Sequence, residues 1–239
     1  MKLTSQVVFR GIIGCALLGV AASATQAGTI IKLNLGGVGP DIGMGAPAGQ
    51  PPGVLSTVDQ TGGPPPTGDQ FTNIEYTGFL SPIPDVNTNT ASFSLNGLNA
   101  VGPANVFGTL VVQNFISGVF SLYDPADNLL LQGPVGPSVL SGVLGPPGTG
   151  ALFTTSLTTV TGGALSSLIA PGSVSLSMNM TNVNGGNGFQ VVGGGPLLNP
   201  FLADGSISIA ADPIPEPASL LLLGLGSALA IAYGRWCRR

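Results

Sequence analysis

What most limits the fold of this chain is a period-two alternation of side chains, interrupted at short intervals by glycine and proline. Residues 173–180 read Ser-Val-Ser-Leu-Ser-Met-Asn-Met. A β-strand points successive side chains to opposite faces, so Val174, Leu176, Met178 and Met180 share one buried side. Residues 91–95 likewise put Phe93 and Leu95 on one face. Residues 119–123 alternate Val, Ser and Tyr against Phe and Leu. Asp124-Pro125-Ala126-Asp127-Asn128 then has the composition of a turn, and residues 129–131 begin the returning strand of a hairpin. The longer apolar run at 106–114 predicts a strand buried on both faces. Further strands are expected at 150–160, 172–182, 188–192 and 206–210.

Helices have little room. The 239 residues include 38 Gly and 21 Pro, which break helices at close spacing. A single amphipathic turn is expected at 164–169, ended by Pro171. About eight short strands joined by turns point to an all-β fold, an antiparallel sandwich or jelly-roll-like ectodomain. A β-solenoid is the alternative, ranked second because no constant repeat length runs through the chain.

The chain divides into four parts. Residues 1–27 have the order of a secretory signal peptide that would use the Sec translocon. Lys2 and Arg10 precede an apolar core at 11–20, and Ala22-Ser23-Ala24 supplies a cleavage site at Ala24, with Ala27 as a second candidate. Ile12-Ile13-Gly14-Cys15 resembles a lipoprotein box, but Arg10 lies too close before Cys15 for a full hydrophobic region. Residues 28–69 are Gly- and Pro-rich. Only 29–35 reads as a strand there, and the remainder is expected to be loop or flexible lead. Residues 70–212 are the all-β ectodomain.

The fourth part, 213–239, is an address label in composition. Pro213, Pro215 and Pro217 hold Glu216 in an extended, accessible segment. Residues 218–234 carry no charge over 17 positions, the lower limit for a helix crossing a hydrocarbon core about 30 Å thick. Arg235, Arg238 and Arg239 follow as a basic membrane stop, with Tyr233 and Trp236 suited to the interface. The expected result is a single C-terminal transmembrane helix.

Charge and composition exclude several function classes. Between Gly28 and Pro217 there is one base, Lys32, and all ten acids, giving 1 − 10 = −9. Such a surface repels nucleic acid. The two cysteines, Cys15 and Cys237, lie in the terminal segments, so the body has neither a disulfide scaffold nor a thiol nucleophile. The chain has no histidine, which removes His-based triads and the commonest metal ligand. Asp124 and Asp127 are the nearest acid pair. They suit a glycosidase or a Ca²⁺ loop less well than the hairpin turn their Asp/Asn/Pro setting describes. No cofactor, no metal and no enzymatic activity are expected. The ectodomain has no Trp, and its tyrosines are Tyr76 and Tyr123. Its phenylalanines fall mostly in strand patterns and are expected in the core, so stacking on sugars has little support.

Pro215-Glu216-Pro217, followed by Ala218-Ser219, a Leu/Gly/Ala helix and an Arg-rich end, resembles the PEP-CTERM sorting signal of Gram-negative bacteria. Cys237 departs from the family's plain basic end. The resemblance implies recognition by exosortase, a multi-pass membrane cysteine transpeptidase, and cleavage near the motif. It also implies export, often in bacteria that make exopolysaccharide and biofilm. The expected protein is therefore anchored in the inner membrane before processing, then released to the cell surface or matrix in a structural role. A surface module that recognises glycan or Ca²⁺ is the alternative. Exposed strand edges in so weakly charged a sheet are a further expected route to self-association.

Overall fold

The computed structural model describes residues 27–35, 39–45, 49, 51–58, 69–147, 150–191 and 198–214. The fold is all-β, with thirteen strands and two short 3₁₀ turns among the described residues. The strands are β1 (Gly28–Leu35), β2 (Ile42–Met44), β3 (Val54–Thr57), β4 (Asp69–Tyr76), β5 (Val86–Asn96), β6 (Leu98–Phe107) and β7 (Leu110–Ile116). They continue with β8 (Val119–Tyr123), β9 (Leu129–Pro134), β10 (Ser138–Val143), β11 (Gly150–Ser156), β12 (Ser175–Thr181) and β13 (Phe201–Ala211).

Eight of them, β12-β11-β10-β7-β6-β3-β2-β13, form a ring that β12 closes by pairing with β13. The other five, β1-β4-β5-β8-β9, leave the same β13 and prolong the ring lengthwise. β1 and β2 both run antiparallel to β13, one beside residues 206–211 and the other beside 201–203. β5 passes into β6 through Gly97, and β7 passes into β8 through Ser117 and Gly118, where φ is positive at all three. β9 continues into β10, and beyond β11 residues 158–162 stay hydrogen-bonded to β9 through Thr158 N–H to Pro134 O and Thr161 N–H to Gln132 O. The result is eight long staves in sequential, antiparallel order, the arrangement of an up-and-down barrel.

The all-β expectation stands, but the sandwich or jelly roll becomes a closed barrel. Local alternation is identical in the two architectures; what separates them is the β12–β13 ladder, which joins staves at the two ends of the pairing order. No solenoid repeat is present among the described strands. Closure also pairs both sides of the ring strands, which removes the free edges expected to drive self-association.

Two segments differ from their sequence patterns. The described part of 28–69 holds more than the one expected strand: β2 and β3 lie within it and are built into the ring. The run at 106–114 is not one buried strand. It turns at Gly108, φ 65°, to make the β6–β7 hairpin, whose tip leaves Phe107 66% exposed. The expected strand at 188–192 reduces to isolated bridges at Phe189 and Val191. The helical turn before Pro171 is a 3₁₀ turn at Ala164–Ser167.

The inner faces carry the core. Val174, Leu176, Met178 and Met180 are buried, as their alternation requires. Phe93 packs on Phe120 at 5.5 Å, Phe115 on Phe153 at 6.4 Å, and Phe189 on Phe201 at 4.8 Å. Each such pair contributes about 0.5–1.5 kcal/mol beyond its area. Gln113 is a buried exception. Its Nε2 donates to the carbonyls of Val101, Gly102 and Asn114, filling the bulge where β6 slips against β7.

Close backbone approach fixes a few glycines. Gly163 has φ 107°, and a Cβ there would collide with the backbone of Leu130 on β9. Gly163→Ala is expected to lower stability by about 2–4 kcal/mol. Gly28→Ala, which meets open space, should change it little. Urea unfolding followed by far-ultraviolet circular dichroism compares the two.

Candidate functional site

Two regions concentrate the chemistry of this chain: the rim where β13 ends and a cleft beside Asp41. At the rim the last stave does not stop at Ala211. Asp212 O accepts Ala170 N–H at 2.9 Å, and Ile214 N–H donates to Leu168 O at 3.2 Å. Pro213 sits opposite Ile169 in an antiparallel bridge. Having no N–H, it can occupy a ladder position that donates nothing. Ser173 Oγ accepts the N–H of Asp212 at 3.1 Å, which ties the exit to the start of β12. Leu165 and Ile169 are buried beneath this corner. The barrel thus holds the chain through residue 214, one position before Pro215.

The other end of the chain leaves from the same place. Gly28 is opposite Ala211 in the β1–β13 ladder, so Ala27, one of the two expected cleavage residues, adjoins the same rim. Carboxylates gather there too. Asp85 Oδ1 accepts the N–H of Tyr76 at 2.8 Å. Burial, with the nearby charges of Asp124 and Asp85, pushes the Tyr76 phenol above its ordinary value.

A family profile for the PEP-CTERM protein-sorting motif matches residues 213–239. This chain carries a PEP-CTERM sorting signal. The signal implies an exported, surface-destined protein with exosortase as its processing partner. Searches of curated proteins and of solved structures found no match. The motif residues Pro215, Glu216 and Pro217, the stop residues Arg235, Arg238 and Arg239, the transmembrane helix expected at 218–234, and Ala24 lie outside the described residues. Among those described, no helix is long and apolar enough to cross a membrane.

Asp124 and Asp127 are placed where the hairpin reading put them. Asp124 Oδ1 accepts the N–H groups of Ala126 and Asn128 at 2.8 and 2.9 Å, and its Oδ2 accepts Asn128 Nδ2 at 2.9 Å. The side-chain and backbone donors of Asn128 hold the Asp124 carboxyl below its ordinary value. Asp127 takes φ 60°, the left-handed conformation that Asp tolerates in turns. Both oxygens of Asp124 therefore serve the β8–β9 turn. Among the described residues no three Asp, Glu, Cys or His side chains gather into a metal-binding group.

The cleft was not foreseen from the sequence. It encloses about 570 Å³ and is lined by Leu35, Asp41, Asn182 and Asp204, among others. Asp41 is 4% exposed, and its Oδ2 accepts the N–H of Gly205 at 2.8 Å. Its own N–H donates to Ala203 O, and its carbonyl accepts Val58 N–H, both at 2.9 Å. Asp204 Oδ2 is held by Asn182 Nδ2 at 3.2 Å. Burial raises the Asp41 carboxyl above its ordinary value; the Gly205 hydrogen bond opposes that, and the Asp204 charge adds to it. Geometrically Asp41 is a latch that joins the entry to β2 with β13 and the end of β3. The one hint in the sequence was an acid wedged between Pro40 and the apolar Ile42.

The sign of the pH effect follows from the raised value. The folded protein binds the Asp41 proton more tightly than the unfolded chain does. Stability from this group is therefore greatest at low pH and falls as pH rises through the window above 3.8. Asp41→Asn keeps an acceptor for Gly205 and removes the buried charge. Its melting temperature at pH 7 should equal or exceed that of the wild type, with a flatter acid-side profile. Asp41→Ala leaves the Gly205 N–H unmet and should cost about 1–3 kcal/mol. Equal losses in both variants, measured by thermal unfolding across pH, would contradict the latch.

Proposed function

We propose that this protein is a non-enzymatic structural component of the cell surface or extracellular matrix, delivered there by exosortase processing at its C-terminal motif. The itinerary begins with the Sec translocon and passes through an inner-membrane-anchored form held by the helix expected at 218–234. The observation that carries the reading is the short distance along the chain between the folded barrel and the sorting signal. Ile214 is still bonded to Leu168, and Pro215 is the next residue. A cargo built in this way is a compact body joined directly to its handle.

The chemistry of the body supports a structural role. A chain with no histidine, whose body has no cysteine, lacks the usual nucleophile–base pairs. The carboxylates that do approach one another at the cleft are engaged by a backbone N–H and an amide. Association with exopolysaccharide belongs to the same proposal, through exposed amide and hydroxyl side chains such as Asn105 and Asn114 rather than through aromatic stacking.

Intact-mass analysis of the exported protein from an exosortase-positive host tests the reading. Wild type should lose mass corresponding to removal of the segment that follows the Pro215-Glu216-Pro217 motif. Glu216→Ala and a deletion from Pro215 onward should each alter the mature mass and the location of the protein. Variants matching wild type in both respects would sink the proposal.

A further inference from the structure

One side of the barrel wall carries no charge. No Asp, Glu, Lys or Arg occurs from Val86 to Tyr123 or from Asn128 to Ala203, so β5 to β12 are uncharged strands broken only by the Asp124–Asp127 turn. That turn lies at the rim where β13 exits, the end opposite the β6–β7 tip. On the outer faces of β6, β7, β10 and β11, large apolar side chains stand in water. Phe107 is 66% exposed, and Val101, Leu110, Val139, Val143 and Leu152 are each 39–44% exposed.

The register brings them together. Phe107 lies opposite Leu110, and Leu110 opposite Val143, making one row across three strands. Val101, Asn114 and Val139 make a second row. The residues alternating with them, Val111, Gln113, Phe115, Leu140 and Phe153, point inward and are buried. Because the ring is closed, none of the strands among the described residues covers the wall.

We infer that this wall binds the same wall of a second copy of the chain. Charge selects that occupant. With eight net negative charges on residues 28–212, Lys32 against nine acids, most approaches between two copies set carboxylates against carboxylates. The β6-β7-β10-β11 wall is a face on which two copies meet without desolvating or opposing a charge. It is also self-complementary in its polar groups. The amides and hydroxyls interleaved with the apolar rows, such as Asn105, Asn114 and Ser141, both donate and accept hydrogen bonds, so identical faces can satisfy one another.

The size of the patch sets the strength of the contact. Four strands spaced about 4.8 Å apart make a patch smaller than the roughly 800 Å² per partner of a standard interface. The pairing is therefore weak and reversible between free molecules, and it strengthens where copies are concentrated on a surface. This inference rests on the folded barrel and not on the sorting reading, so the two fail independently.

Sedimentation velocity on the intact exported protein, over a 100-fold concentration range, tests it. Wild type should move from monomer toward dimer as concentration rises. Leu110→Lys and Leu110→Asp should each shift the midpoint at least tenfold higher, whereas Asn34→Lys on the opposite wall should not. An equimolar mixture of the Lys and Asp variants should regain association, a result that misfolding of either cannot mimic. A wild-type chain that stays monomeric throughout would overturn the inference. So would wall variants that dimerise like wild type, or a monomeric wall that instead retains neutral polysaccharide.

Discussion

The architecture depends on one strand having neighbours along both edges. β13 gives one edge to β12 over seven register pairs, from Ser175 with Ala210 to Thr181 with Asp204. Its other edge is divided between β2 and β1. Closing a barrel in this way satisfies backbone groups that an open sheet would leave to water or to another chain. It also explains how so glycine-rich a sequence holds together without disulfides. Ladder bonds around the ring and an inward stripe of Phe, Leu, Ile and Met take the place of cross-links.

The same strand links the fold to its itinerary. β13 is the last stave, and its extension through Asp212, Pro213 and Ile214 is fastened to residues 168–170. The PEP-CTERM motif begins within that extension, so the signal shares residues 213 and 214 with the barrel rim. β1 begins at the same rim, which places Gly28 beside Ala211, near the point where the chain leaves the barrel. The acidic turns at Asp85 and Asp124 face that end, while the uncharged wall reaches toward the β6–β7 tip. The molecule is thus polarised: a charged end that leads into the sorting signal, and a neutral, apolar-flecked side.

Much of this was legible in the sequence, though not the closure. The 173–180 alternation identified β12 and its buried residues because a half-buried strand leaves a local, period-two trace. The Asp124–Asn128 turn was equally plain, since Asp and Asn bond their own backbone at short range. Closure left no such trace: Met178 pairs with Ile207 across 29 residues, and nothing local in either strand names its partner. The short strands β2 and β3 were hidden by flanking Gly and Pro, which mark the excursions around them rather than the three or four paired residues between. The 106–114 run misled because apolar residues at an exposed hairpin tip read like a buried strand; Gly108 was the one available sign of the turn. Asp41 was missed because a latch acid is defined by Gly205, 164 residues away.

Amide hydrogen exchange of β12 and β13, followed residue by residue by NMR, reports directly on whether β13 closes the barrel. Successive amides of an antiparallel strand point to opposite neighbours. In a closed barrel, consecutive amides from Leu176 to Met180 and from Ile207 to Ile209 should therefore all exchange slowly. A fast–slow alternation along β12 would show a free edge and would contradict the barrel.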